Sequence, residues 1–196
     1  MTTGQLKEAT CSSFTNATKL LIYINDCCTK FDILSPVRQL CFLAQVGHES
    51  GGLFYTEELA SGDAYEGRSD LGNTQAGDGP RFKGRGLIQI TGRNNYNLVG
   101  IALATNFIDN PSLLGGKNIN ECSPEQLQFA TLSAGWFWDT RKLNLIADKI
   151  DIKDPVDHGT NLQYYMQITK LINGGYNGLP DRLNRYKTGV PYFETN

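Results

Sequence analysis

Twice in this chain a Ser-Pro pair opens a stretch in which apolar residues recur at helical spacing. In SPVRQLCFLAQVGHESGG, residues 35 to 52, the Ser35 hydroxyl is placed to accept from an orphan backbone N–H, and Pro36 at the first helical position has no N–H to lose. Val37, Leu40, Cys41, Ala44 and Gly47 then share one face, and Gly51 and Gly52 supply the stop. Ser123 and Pro124 start a second such helix, with Leu127, Ala130, Thr131, Ala134 and Trp138 aligned. Helical spacing also runs from about Gln5 to Asn25, around Tyr96 and Leu98, and from Leu162 to Ile172, where NGG closes it. The tail NGLPDRLNRYKTG reads as one more, turn-rich helix. Between these segments, residues 61 to 86 are rich in Gly, Asp, Asn and Arg and lack apolar periodicity, which predicts a long loop of the kind that is more often functional than incidental. GLIQITG after it reads as a short strand with Ile88 and Ile90 on one side and Gln89 and Thr91 on the other.

At 196 residues the chain is long enough for one domain with a substantial core, or for two lobes. A net charge of -2 gives no general drive toward nucleic acid or anionic lipid. No run of eighteen apolar residues exists, and MTTGQLKEAT lacks the pattern of a secretory signal, so neither stable membrane insertion nor export is expected. Five cysteines without a CxxC read as reduced, mostly buried thiols rather than a disulfide framework or metal site. His48 and His158 stand at no recognisable ligand spacing, and His48 reads as a packed residue. GxSxG and GxxxxGK[ST] are absent, which removes the usual signs of a serine nucleophile and of a phosphate cradle.

What remains is an acidic cluster. GHESGGLFYTEEL places Glu49 at a helix end and Glu57 and Glu58 just past a Gly-Gly turn. On the helical wheel Glu49 lies on the flank with Phe42 and Gln45 rather than at the apolar centre. Glycosidic bond hydrolysis with inversion needs an acid to protonate the leaving oxygen and a base to activate water, their carboxyls roughly 6.5–9.5 Å apart. Glu49 and Glu58 can meet that need, although surface glutamates at a helix terminus would look the same. Gln89 and Thr91 could hold the water.

GHESGG, TEEL, FKGRGLIQITGRNNY and INGGYNG followed by DR resemble glycoside hydrolase family 19, the family of plant-type chitinases and of bacteriophage endolysins. With AYEGRSDLGNT included, the order of motifs is most similar to the endolysins, over about residues 35 to 190. The resemblance implies a mainly α-helical, lysozyme-like fold with two lobes flanking a substrate groove and a small β element near Gln89, built as one catalytic domain over residues 1–196 without a separate wall-binding domain. It implies Glu49 as general acid, Glu58 rather than Glu57 as general base, and Gln89 and Thr91 at the water. Asn95, Tyr96 and Asn173 match sugar-binding positions, and Arg182 matches an arginine beside the base carboxylate. Glu49 is then expected to be the protonated partner, and Glu58, near Arg182, the ionised one. The implied activity is hydrolysis of the β-1,4 link of peptidoglycan glycan strands by a monomer, without metal or cofactor. Such an enzyme would wait in the host cytoplasm until released to the wall. A chitinase and a non-catalytic glycan-binding module are the rival readings.

Overall fold

The structure, a computed structural model, describes residues 1–194 and is mainly helical. The helices are α1 (Thr3–Thr10), α2 (Phe14–Lys30), α3 (Pro36–Glu49), α4 (Asp78–Arg81), α5 (Arg93–Leu103), α6 (Pro124–Thr140), α7 (Leu143–Ala147), α8 (Gly159–Asn173) and α9 (Leu179–Phe193). They fall into two compact units. One contains Met1–Leu53 and the chain from Phe137 onward, and the other is Phe54–Trp136.

The first unit is built on α1, α3 and α9. These approach closely because glycines stand at the crossings: a Cβ on Gly47 would lie 2.8 Å from the Thr10 backbone, and one on Gly189 would lie 2.7 Å from Leu40 and 2.9 Å from Ala9. Ser35 caps α3 as expected, accepting from the Arg38 N–H. Every residue of α3 from Leu40 to Gly47 is buried, including Phe42 and Gln45. The amphipathic wheel read from the sequence therefore understates the burial of this helix, which is covered on all sides in its middle turns. α6 carries Leu127, Ala130, Thr131, Ala134 and Trp138 inside, as its spacing predicts.

Two local readings need correction. The stretch from Gln5 to Asn25 is two helices: Cys11 turns left-handed (φ 44°), and Ser13 caps α2 through the Asn16 N–H. Leu6 and Ala9 before the break and Ala17 and Leu20 after it are all buried, so the apolar pattern runs on although the chain turns. GLIQITG is not a strand either. Among the described residues β structure here is limited to the isolated bridges Glu57↔Arg85 and Arg85↔Ile90. Gln89 adopts φ 41°, which a strand cannot contain. Ile88 and Ile90 are still buried and Gln89 and Thr91 half-buried, because a tight turn can sort side chains as alternation does. The tail forms a regular fifteen-residue α9 rather than a turn-rich piece.

In the second unit, the 61–86 loop is ordered by its own polar side chains. The Glu66 carboxylate accepts from the N–H groups of Gly77 and Gly79, each at 2.7 Å. Buried Asp78 accepts from Arg93 and from the Gln75 N–H. The Asn73 amide donates to the Tyr65 carbonyl, and its oxygen accepts from the Arg93 N–H. Cys27, Cys28 and Cys41 are buried, Cys122 is half-buried and Cys11 is exposed. Burial pushes the Cys28 thiol up to about 12. No helix among the described residues is long and apolar enough to cross a membrane.

Candidate active site

The residues singled out in the sequence separate into two groups, one in each unit. In the first unit Glu49 ends α3, and its Oε1 accepts from Arg182 Nη2 at 2.5 Å. Arg182 lies in the first turn of α9, has no exposed surface and spends its other donors on Gln45 Oε1 (2.5 Å) and the Asn177 carbonyl (3.2 Å). Gln45 in turn donates to Thr169 Oγ1, and the Tyr165 hydroxyl donates to the Arg182 carbonyl. A guanidinium buried in this way is stable only because its N–H groups find acceptors.

This corrects one expectation and adds a contact that the sequence reading lacked: Arg182 ion-pairs with Glu49, the expected acid. Being wholly buried, it cannot contact a sugar and instead positions a carboxylate. Asn173 closes α8 and is exposed, as a binding residue must be. His48 is packed: its ring lies so close over Gly178 that a Cβ there would sit 2.1 Å from Cε1, and its Nδ1 is 2.7 Å from Asp181 Oδ2. Asp181 also accepts from Arg185. Burial alone would raise the Asp181 carboxyl, but Arg185 and His48 outweigh it and hold it below the usual range.

The second unit holds Glu57, Glu58, Gln89, Thr91, Asn95 and Tyr96. Glu57 is committed to structure, accepting from Lys83 Nζ at 2.8 Å and Arg85 Nε at 2.7 Å. Burial raises its carboxyl, and the two cations together bring it below the usual carboxylate range. Glu58 differs. Its Oε2 accepts from the Tyr65 hydroxyl at 2.9 Å, while its Oε1 is buried with no partner among the described residues. Gln89 Oε1 is likewise buried and unpartnered. The Glu58 and Gln89 side chains converge over Gly84, where a Cβ would lie 3.2 Å from Glu58 Oε2 and 2.7 Å from Gln89 Oε1. Two buried acceptors here lack donors among the described residues, packed against a glycine where a Cβ would not fit, and a molecule that donates hydrogen bonds would satisfy both.

Thr91 Oγ1 donates to the Gln89 carbonyl at 2.9 Å, so the hydroxyl keeps its acceptor capacity and also pins the left-handed turn. Asn95 is half-exposed and donates to the Thr91 carbonyl. Tyr96 is fully buried, accepts from Arg85 and donates to the Lys83 carbonyl. It therefore cannot line a sugar site; its ring packs edge-on against Phe82 and its hydroxyl ties the Lys83–Arg85 segment. Among the described residues no group of His, Cys, Asp and Glu could hold a metal ion.

Tyr65, Gln45 and Gly84 were missed in the sequence reading. Tyr65 lies within the AYEGR motif but is seven residues from its partner, and Gln45 was a polar residue on a helix flank, signals too weak to stand alone.

A family model described as chitinase class I, glycoside hydrolase family 19, matches residues 40–179. A glycosyl hydrolase family 19 domain-containing protein of Haemophilus influenzae is 26% identical over 189 residues, covering 81% of each chain. Acidic endochitinase Q of Nicotiana tabacum is 29% identical over 74% of this chain, and the acidic 27 kDa endochitinase of Solanum lycopersicum is 34% identical over 68% of it. The chain spans only 57% and 51% of those two plant proteins. Among solved structures, chitinase C from Streptomyces griseus superposes with a TM-score of 0.61 at 21% identity over the whole of this chain and 77% of its own. A second bacterial family 19 chitinase gives 0.63 at 19% identity over 95% of its own chain. These likenesses show a shared fold, the mainly helical, lysozyme-like one that the motifs imply. With its family model covering residues 40–179, this chain belongs to glycoside hydrolase family 19.

Proposed function

We propose that this family 19 glycoside hydrolase cleaves the β-1,4 bond between amino sugars of peptidoglycan by single displacement, with Glu49 as acid and Glu58 as base. The observation that carries the assignment is the contrast within TEEL: two cations saturate Glu57, whereas Glu58 keeps one buried oxygen unclaimed. In the reaction, a water hydrogen-bonded to Glu58 loses a proton to that carboxylate as its oxygen attacks the anomeric carbon. The bond to the leaving oxygen breaks, and that oxygen takes the proton carried on Glu49. Arg182 engages Glu49 Oε1, so the proton to be donated is carried on Oε2. Thr91 and Gln89 are the residues we assign to orienting the water, and Asn95 and Asn173 to the sugars. This requires no metal or cofactor.

Peptidoglycan is the reading favoured by the AYEGRSDLGNT loop, which resembles that of endolysins. It carries the further proposal of release from a host cytoplasm for cell lysis. The names of the plant relatives favour chitin as the second reading. Turbidity loss by permeabilised bacterial cells, measured beside hydrolysis of soluble chitin oligomers, separates the two. Activity on chitin alone would overturn the peptidoglycan reading, and binding without turnover on either would leave a glycan-binding module.

A further inference from the structure

We propose that Tyr65 is a positioning residue for the general base, holding Glu58 Oε2 so that Oε1 is the oxygen that receives the proton from water. This rests on the assignment of Glu58 as base given above.

A carboxylate has two equivalent oxygens and turns about its last bond, so a base built from one is pre-organised only when something tells the oxygens apart. Here the Tyr65 hydroxyl donates to Oε2 at 2.9 Å, and Oε1 is buried without a partner among the described residues. Gly84 packs against the same carboxylate, and its carbonyl accepts from the Glu58 N–H at 2.9 Å. Among the described residues the unclaimed acceptor on Glu58 is thus Oε1, and Gln89 Oε1 is a second acceptor left without a donor.

The loop explains why the phenol stays there. Tyr65 ends a 3-10 turn, Asp63–Tyr65, whose N–H and carbonyl are both tied: the Tyr65 N–H donates to the Gly62 carbonyl, and the Asn73 amide donates to the Tyr65 carbonyl. The next residue, Glu66, clamps Gly77 and Gly79. Gly62 and Gly79 meet so closely that a Cβ on either would lie 2.8 Å from a carbonyl of the other. Burial and the Glu58 contact both raise the Tyr65 phenol, which keeps it a proton-bearing donor through the neutral range. The long loop therefore delivers one hydroxyl to one carboxylate oxygen.

The test compares Tyr65→Phe, Glu66→Gln and Glu58→Gln in the full chain, using turnover of cell-wall glycan, the pH profile of kcat and Tm. A hydrogen bond to a charged group corresponds to about 10- to 100-fold in rate. Tyr65→Phe is expected to lower kcat by that factor with KM nearly unchanged. A change in how the base is held is expected to displace the acid limb of the profile as well. Glu66→Gln loosens the loop but keeps the phenol, and should lower Tm with no displacement of the acid limb. If Tyr65→Phe leaves both kcat and the acid limb in place while Glu58→Gln is inactive, the Tyr65 role is wrong and the base assignment stands. If Glu66→Gln moves the limb as far as Tyr65→Phe does, loop order and not the phenol is responsible. A folded, active Glu58→Gln protein overturns the base assignment and the Tyr65 role with it.

Discussion

Gln45 is a neutral amide in the fully buried middle of a helix, and it is tolerated because both ends of the amide are used: Oε1 accepts from Arg182, and Nε2 donates to Thr169. Removing the acceptor leaves a buried guanidinium N–H unpaired, which costs about 1–3 kcal/mol or more. Gln45→Met, similar in volume, is therefore expected to lower Tm and to reduce activity through a misplaced Glu49, whereas Gln45→Glu should retain more of both. Glu49→Gln keeps the shape and removes the proton donor. It should cost about 10²–10⁴-fold in turnover, and because the amide oxygen can still accept from Arg182 the chain should fold, with Tm lowered by the lost ion pair. Near-normal lysis by the folded variant would end the proposed mechanism. Thr91 has two duties in the structure, since its hydroxyl also ties the Gln89 carbonyl. Thr91→Val should lower both kcat and Tm, and Thr91→Ser should preserve much of each. An active Val variant beside an inactive Ser variant would take Thr91 out of the water-holding role.

At the level of elements, the 61–86 segment has the composition of a floppy loop and the bonding of a fixed one. Its anchor is Asp78, buried, bonded to Arg93, and held by that contact below the usual carboxylate range despite burial. A carboxyl depressed in the folded state stabilises above its unfolded value of about 3.9, and this contribution is lost as pH falls through the folded value. Wild type should therefore exceed Asp78→Asn in Tm at neutral pH, and the gap should close as the solution is acidified below about pH 4. A constant gap down to strongly acid pH would assign the difference to something other than this ion pair. The long loop was legible in the sequence from its Gly, Asp and Asn content. Its order was not, because Glu66 and Asn73 act on backbone groups eight to twenty residues away and Asp78 on the Arg93 side chain fifteen away.

For the whole molecule, the first unit depends on three helices from opposite ends of the chain meeting at glycines. A methyl on Gly47 would press on the Thr10 backbone, which cannot swing away as a side chain can. Gly47→Ala should cost about 1–3 kcal/mol and lower Tm, while Gly67→Ala, where a Cβ meets open space but φ is 68°, should lose less, from backbone strain alone. Signals that act over a few residues were sufficient in the sequence: Ser35-Pro36 and Ser123-Pro124 as helix starts, NGG as a stop, and the apolar face of α6. The motif order alone was enough to identify family 19. What only the tertiary structure decided were the pairings of polar groups far apart in the chain. Arg182 chose Glu49, 133 residues away, and Gln45, 137 away. Tyr65 chose Glu58, and Lys83 and Arg85 saturated Glu57. Helix caps and apolar periodicity are set by the backbone's own unsatisfied groups and by water, which any stretch of chain meets locally. Which carboxylate a buried cation joins depends on which acceptors the packed helices bring within about 3 Å of it, and that exists only once the chain has folded.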